Sequence, residues 1–383
     1  MRVGLAFLLA FLVAGCATTS LPPAPPGPAQ TALKEDFYQV RIVTHDGKKL
    51  AATVYQPALS PGQSAPLIIA THGYGGFRAK RPFSIYGKTM ITGQAALAAW
   101  KQGYWVVFYD QRGWGQSQGK VHMMDPEFEI RDVSTVIDWS LAHIPAISTL
   151  QDGAPAIGMI GESYGGGAQT LASFNEPRLQ ALVPIATWHD MNALAPDRHM
   201  KTNWGATILI PGSISSGFDT GYLLKKPMRS GFTGTISQDA SALMYERSPA
   251  YHCDQGLSPQ ADALFVQGFR DTMFPMQEAL NNQACFTNAG RDSRVVAIQG
   301  GHILPWPVQK WSGKPLFNTE ENIRCGDYEA SLVDTIVGWW DEKLKDEERK
   351  VPDLCMTLGY DAGLPHEEFP DFGEVYPVPG SSV

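Results

Sequence analysis

The sequence predicts an α/β fold in which helices cover both faces of a mostly parallel central sheet. Short, uninterrupted apolar runs recur along the chain, and such runs are typical of strands that are buried on both faces. Helical patterns separate successive runs, as they do in folds that alternate strand and helix. The 383 residues are 44% hydrophobic and 18% charged, which is the composition of a folded globular protein.

The predicted elements follow one another in a regular order after an initial hairpin. Residues 38–44 and 49–55 alternate apolar and polar side chains around Asp46-Gly47, a pattern typical of two antiparallel strands and a tight turn. The apolar runs predict strands at residues 66–71, 104–109, 156–160, 181–186, 263–267 and 294–298. Helical periodicity predicts helices at about residues 92–102, 126–142, 164–174, 275–282 and 329–344.

One long segment interrupts this alternation. Residues 188–262 lie between two predicted strands and contain scattered Gly, Ser and Pro. We expect this segment to form a cap inserted over the carboxyl edge of the sheet. The predicted globular domain spans residues 35–347, and a polar, proline-rich tail follows at 348–383.

The N-terminal segment has the features of a bacterial lipoprotein signal. Arg2 precedes 13 apolar or small residues, and Val-Ala-Gly-Cys ends the stretch at Cys16. A membrane-spanning helix needs about 20 apolar residues, so we expect residues 1–15 to be removed and the Cys16 thiol to be acylated. Ala17 favours an outer membrane anchor that faces the periplasm. The alternative is a plain secretory peptide in which Cys16 is incidental.

Residues 16–34 contain five prolines and are expected to form an extended tether. Four cysteines remain beyond it, and an even number in an oxidising compartment predicts two disulfides. Three connectivities are open. Proximity in sequence favours Cys253 with Cys285 and Cys325 with Cys355.

Charge and cysteine spacing exclude several kinds of partner. With 30 Lys and Arg against 38 Asp and Glu, the formal net charge is -8, which disfavours binding to a nucleic acid backbone. The cysteine spacing does not fit a compact metal site, so no metal is expected. The oligomeric state is left open.

A candidate nucleophile lies where a predicted strand meets a predicted helix. The sequence around Ser163 is Gly-Glu-Ser-Tyr-Gly, and glycines two residues before and after the serine permit the strained turn of a nucleophile elbow. Ser163 would be raised above the sheet. The backbone N–H of Tyr164 would then point towards an oxyanion on the substrate.

An activated serine needs a histidine and a carboxylate, which in this architecture follow it in the order Ser, acid, His. His302 comes directly after the last buried strand in a Gly-rich loop, whereas His366 lies in the proline-rich tail. Asp271 follows the strand at 263–267, and Asp190 is its rival. The favoured triad is Ser163, Asp271 and His302, which needs no cofactor.

Three motifs together with Asp271 and His302 resemble the X-Pro dipeptidyl-peptidase and cocaine-esterase family of α/β-hydrolases. The motifs are THGYGG at 71–76, DQRGWGQSQG at 110–119 and GESYGG at 161–166. The resemblance implies an α/β-hydrolase fold over about residues 37–344. It also implies that the Tyr74 hydroxyl completes the oxyanion hole, although a backbone N–H of residues 72–75 is an alternative.

Many members of the family carry a large β-sandwich domain after the hydrolase core. Only 39 residues follow Leu344, so we expect that domain to be absent. The resemblance implies a serine hydrolase that cleaves an ester or amide bond in a small ester or short peptide, with an X-Pro bond as one candidate. The alternatives are an acyltransferase that uses the same triad and a non-catalytic lipoprotein of the cell envelope.

Overall fold

The computed structural model describes residues 27–217, 234–298, 300–302, 322–325, 327–348 and 350–356. The predicted signal peptide, Cys16 and His366 lie outside the described residues. So do most of the predicted tether and tail and part of the segment 188–262. No helix in the described ranges has the length and apolar character needed to cross a membrane.

Nine strands of the described chain form one mixed sheet. They are β1 (Asp36–Val43), β2 (Lys49–Gln56), β3 (Leu67–Thr71), β4 (Trp105–Tyr109), β5 (Ile157–Glu162), β6 (Leu179–Ile185), β7 (Asp262–Gly268), β8 (Ser293–Ile298) and β11 (Leu354–Met356). Their order across the sheet is β1-β2-β4-β3-β5-β6-β7-β8-β11. The β1–β2 and β2–β4 pairs are antiparallel, and every other neighbouring pair is parallel. A separate hairpin joins β9 (Asn322–Cys325) and β10 (Tyr328–Ser331).

Helices cover both faces of this sheet. They are α1 (Ile85–Thr89), α2 (Ile91–Lys101), α3 (Arg131–His143), α4 (Tyr164–Ala172), α5 (Gln238–Glu246), α6 (Pro249–Asp254), α7 (Met276–Asn288) and α8 (Leu332–Leu344). Ile68 packs into one apolar core with residues of α2 and α8, and Ile69 packs into the other with residues of α3, α4 and α7. Successive strand residues point to opposite faces, so β3 contributes to both layers.

The predicted α/β architecture is confirmed, and two predicted helices begin later than expected. Residues 126–130 form a π-helical turn before α3. Residues 329–331 belong to β10, and α8 begins after Ser331, whose hydroxyl accepts a hydrogen bond from the backbone N–H of Asp334. The side-chain cap therefore fixes the start of α8, which apolar periodicity alone placed too early.

The segment between β6 and β7 contains a helix over residues 202–215. Its ends, Thr202–Trp204 and Ile210–Ser215, are α-helical, and a π-helical turn at Gly205–Leu209 joins them. Helices α5 and α6 follow it along the chain. The hydrogen bonds and ring contacts described below place the 202–215 helix over the carboxyl ends of the strands.

Two disulfides connect the outer elements. Cys253 of α6 is bonded to Cys285 of α7, and Cys325 of β9 is bonded to Cys355 of β11. These are the pairings that sequence proximity favours. The second bridge joins the edge strand of the sheet to the small hairpin.

Candidate active site

The turn from β5 into α4 holds Ser163 in a strained conformation. Its φ is 51° and its ψ is -111°, a backbone conformation that residues other than glycine rarely adopt. The neighbouring glycines have no room for a side chain. A Cβ on Gly161 would lie 2.7 Å from the backbone of Gly165, and one on Gly165 would lie 2.9 Å from the carbonyl oxygen of His72.

The loop after β8 brings His302 back over this turn. The distance between His302 Nε2 and Ser163 Oγ is 2.9 Å, and both residues are buried. The absence of a side chain at Gly268 allows the loop to approach β7 this closely, because a Cβ there would lie 2.3 Å from the carbonyl oxygen of Gly300. The ring of Trp204 lies 5.5 Å from the imidazole, measured between centroids.

Asp271 completes a continuous chain of hydrogen bonds. Its Oδ2 lies 2.9 Å from His302 Nδ1 and accepts a bond from Gln267 Nε2 at 3.1 Å. Its Oδ1 accepts bonds from the backbone N–H groups of Met273 and Phe274 at 2.8 and 2.9 Å. All four bonds suit an ionised carboxylate, and together they fix its orientation.

Asp190, the rival of Asp271 as the acid, has different hydrogen-bond partners. Asp190 accepts hydrogen bonds from the backbone and side-chain nitrogens of Asn192 and caps the turn at Met191–Leu194. It therefore has a local structural role.

In the described ranges, no group of three or more His, Cys, Asp or Glu side chains is arranged to hold a metal ion.

Tyr164 is the first residue of α4, so its backbone N–H belongs to the helix turn that lacks intrahelical acceptors. This places an N–H donor directly after Ser163. The phenol ring is buried, and its Oη accepts a hydrogen bond from the backbone N–H of Met124 at 3.1 Å. Burial and the nearby Glu129 carboxyl raise the pKa of the Tyr164 hydroxyl well above its usual value.

Tyr74 lies in the loop after β3, with its ring against Trp114 and Tyr164 at centroid distances of 4.7 and 5.6 Å. Its Oη is 3.1 Å from Ser213 Oγ in the 202–215 helix. Ser213 already donates to the carbonyl oxygen of Leu209, so Tyr74 is the donor to Ser213. Burial raises the pKa of the Tyr74 hydroxyl, which keeps it protonated.

Glu162, which precedes Ser163, links three parts of the site, and reasoning from the sequence missed this role. Its carboxylate accepts hydrogen bonds from the hydroxyls of Tyr86 and Thr92 and from the backbone N–H of Gly73 at 3.2 Å. An acidic residue inside an apolar strand end was the available signal, because a buried carboxylate needs partners. Glu162 thereby ties the loop that carries Tyr74 to the end of the strand that leads into Ser163.

The motif at 110–119 supports the same loop and the 202–215 helix. Asp110 forms a buried ion pair with Arg78, and Arg112 forms another with Asp132. Trp114 Nε1 donates to the carbonyl oxygen of Gly212 at 2.9 Å. The motif is therefore a scaffold that holds the helix beside Tyr74.

Similarity to known proteins agrees with this architecture. A family model described as X-Pro dipeptidyl-peptidase (S15 family) matches residues 46–206, a range that includes the three motifs and Ser163. A puromycin-hydrolyzing peptidase of Mycobacterium tuberculosis superposes with a TM-score of 0.53 at 13% identity, over 81% of this chain and 39% of that one. An acylaminoacyl peptidase in complex with Z-Gly-Gly-Phe-chloromethyl ketone gives 0.52 at 16% identity, over 83% of this chain and 43% of that one. This chain has the α/β-hydrolase fold.

The family match confirms the resemblance of this chain to the X-Pro dipeptidyl-peptidase family. Asp271 and His302 lie beyond the matched range. Among curated proteins, an uncharacterized 31.7 kDa protein of Escherichia coli is 25% identical over 182 residues. The aligned part covers 48% of this chain and 57% of that relative, so this chain spans little more than half of the relative's length.

Proposed function

We propose that this chain is a serine hydrolase that cleaves an ester or amide bond through an acyl-enzyme formed on Ser163. The observation that carries the proposal is the continuous hydrogen-bond chain from Ser163 Oγ through His302 to Asp271, with both distances at 2.9 Å. The strained elbow, which presents the hydroxyl at the carboxyl edge of the sheet, supports it. The S15 family match supports a peptidase or esterase type of reaction.

In the first half of the reaction, Ser163 Oγ attacks the carbonyl carbon of the substrate while His302 Nε2 accepts the hydroxyl proton. The Asp271 carboxylate accepts the hydrogen bond from Nδ1–H and stabilises the imidazolium that forms. His302 then gives the proton to the leaving alcohol or amine as its bond to the carbonyl carbon breaks. In the second half, water attacks the acyl carbon while His302 accepts its proton, and His302 then returns that proton to Ser163 Oγ as the bond between Oγ and the acyl carbon breaks and the acid is released.

Negative charge develops on the carbonyl oxygen in both halves of the reaction. The N–H of Tyr164 is one donor to it, because it opens α4 directly after the nucleophile. Tyr74 supplies the second donor through its hydroxyl, which leaves Ser213 when the oxyanion forms. An anionic acceptor makes a stronger hydrogen bond than the neutral Ser213 hydroxyl does.

The test of this proposal is turnover by the full chain and by Ser163→Ala on a panel of X-Pro amides and short-chain nitrophenyl esters. Wild-type protein should turn over at least one class, and Ser163→Ala should lose activity by orders of magnitude. Ser60→Ala, at an exposed serine, is the matched control and should retain full activity. Undiminished turnover by Ser163→Ala would contradict the assignment.

We also propose that the protein is anchored at acylated Cys16, in an outer membrane and facing the periplasm. The motif that ends at Cys16 supports this, and so do the two disulfides, because disulfides persist in oxidising compartments. Mass spectrometry of the mature N-terminus should find a lipid-modified Cys16. An unmodified N-terminal residue other than Cys16, on protein from the soluble fraction, would overturn the anchor.

A further inference from the structure

Exposed apolar side chains concentrate in one stretch that follows the Tyr74 loop. Seven large apolar side chains are exposed in the described part of the chain, and three of them fall within nine residues. Phe77, Phe83 and Ile85 are 48%, 83% and 77% exposed. Single exposed apolar residues are common on soluble proteins, but a group of this kind indicates an interaction surface.

A buried anchor holds this stretch in place. Ser84 caps α1 by accepting a hydrogen bond from the backbone N–H of Gly87 at 3.1 Å. Tyr86, which follows the exposed Ile85, is buried, and its hydroxyl donates a hydrogen bond to Glu162. The buried Tyr86 therefore fixes the backbone from which the neighbouring Ile85 is exposed.

The surface is also positively charged. Residues 77–90 contain four Lys or Arg and no Asp or Glu. Arg78 is buried against Asp110, which leaves Arg81 and Lys88 as exposed cations and Lys80 as a half-buried one. Lys88 Nζ lies 5.7 Å from the centre of the Phe83 ring. A chain with a net charge of -8 therefore carries a local surface that is both basic and apolar.

We propose that this 77–90 surface docks on an anionic phospholipid membrane. Phe83 and Ile85 would enter the boundary between head groups and acyl chains, and Lys80, Arg81 and Lys88 would contact lipid phosphates. Apolar side chains flanked by Lys and Arg are typical of segments that lie in a membrane interface. Protein interfaces are depleted in Lys, which makes a protein partner the weaker match.

Docking by this surface is independent of the acylation of Cys16 and of the proposed hydrolase activity. It would nevertheless orient the candidate active site. Ser215 Oγ lies 3.3 Å from the carbonyl oxygen of Gly75, so the end of the 202–215 helix is next to the loop that leads to Phe77. Ile214, beside Ser215, is 55% exposed. The docked surface would therefore place the Tyr74 loop and this helix close to the lipid.

Hydrogen–deuterium exchange tests this proposal on the full chain. Exchange is compared on vesicles of phosphatidylcholine alone and of phosphatidylcholine mixed with phosphatidylglycerol, since the N-terminal apolar stretch can insert into both. We expect slower exchange at residues 77–90 on the anionic vesicles only. We also expect the protection to weaken at about 1 M salt, where the screening length falls to about 3 Å. Equal exchange on the two vesicles would overturn the proposal.

Variants identify the side chains responsible. Phe83→Ser combined with Ile85→Ser should reduce the protection of residues 77–90 on anionic vesicles by about tenfold or more. Lys88→Glu should weaken it by about fivefold or more. Leu257→Ser, which changes another exposed apolar residue, is the matched control and should have no effect. If sedimentation shows a dimer that the double change dissociates, the occupant is a second copy of the chain and the membrane proposal is wrong.

Discussion

Asp271→Asn tests the electrostatic role of the carboxylate with almost no change in volume. The backbone N–H groups of Met273 and Phe274 both point at Oδ1, so the amide oxygen of the new side chain must take that position. Its NH₂ group then replaces Oδ2, which lies 2.9 Å from His302 Nδ1. An NH₂ group donates where the carboxylate accepted.

This reversal forces the wrong tautomer on His302. With Nδ1 accepting from the amide, the ring proton moves to Nε2, and Nε2 is then unable to accept the Ser163 proton. Gln267 Nε2 donates to both Asp271 Oδ2 and the carbonyl oxygen of Phe274. After the replacement, its NH₂ group would therefore face the new NH₂ group at the Oδ2 position, and neither group accepts a hydrogen bond. Such a replacement lowers kcat by about 10⁴-fold, which corresponds to ~5.4 kcal/mol of transition-state stabilisation.

The assay is kcat and kcat/KM on whichever substrate the wild type turns over, with thermal unfolding as a check on folding. Asp190→Asn is the matched control, because it makes the same chemical change at the rival carboxylate. It should stay within a few-fold of wild type. If Asp271→Asn keeps more than about a tenth of kcat, or if Asp190→Asn is the more damaging change, the acid of the triad is wrongly assigned.

Two further predictions address neighbouring groups. Tyr74→Phe should lower kcat by about 10²- to 10³-fold with little change in KM, whereas Ser213→Ala should stay within a few-fold; equal, mild effects would show that the bond between them is only structural. Burial raises the pKa of Glu129 from 4.5 to about 7, so the folded state binds this proton more tightly than the unfolded state. The stability this gives is present below pH 4.5 and is lost as pH rises through about 7, a change on the order of 3 kcal/mol. Urea titrations should therefore give free energies of unfolding for wild type and Glu129→Gln whose difference changes between pH 4.5 and about 7. A difference that does not vary with pH would contradict the reasoning.

The central sheet and the turn at Ser163 could be predicted because local patterns determine them. Buried strands leave uninterrupted apolar runs, and the strained turn needs glycines at fixed spacing. The approach of His302 to Ser163 followed from the order of loops at the carboxyl edge of the sheet. Proximity in sequence was enough to predict the two disulfide pairings, because the two cysteines of each pair lie on elements that are neighbours in the fold.

Contacts that depend on distant residues left no comparable signal. The bond between Tyr74 and Ser213 spans 139 residues, and the π-helical turn in the 202–215 helix disturbs the periodicity that would reveal it. The role of Glu162 was not predicted because its partners, Tyr86 and Thr92, are 76 and 70 residues away in the sequence. They lie on helices α1 and α2, and no local pattern links these helices to β5. The edge strand β11 is only three residues long, too short for an alternating pattern to stand out.

Peptide mapping after reaction with a fluorophosphonate tests the central claim most directly, because the reagent requires an activated serine and no knowledge of the substrate. The proposed mechanism predicts one adduct, on Ser163, in the wild type. It predicts no adduct in Ser163→Ala and strongly slowed labelling in His302→Ala, since the two residues act as a unit. An adduct on a different serine, or equal labelling of Ser163 without His302, would contradict the triad.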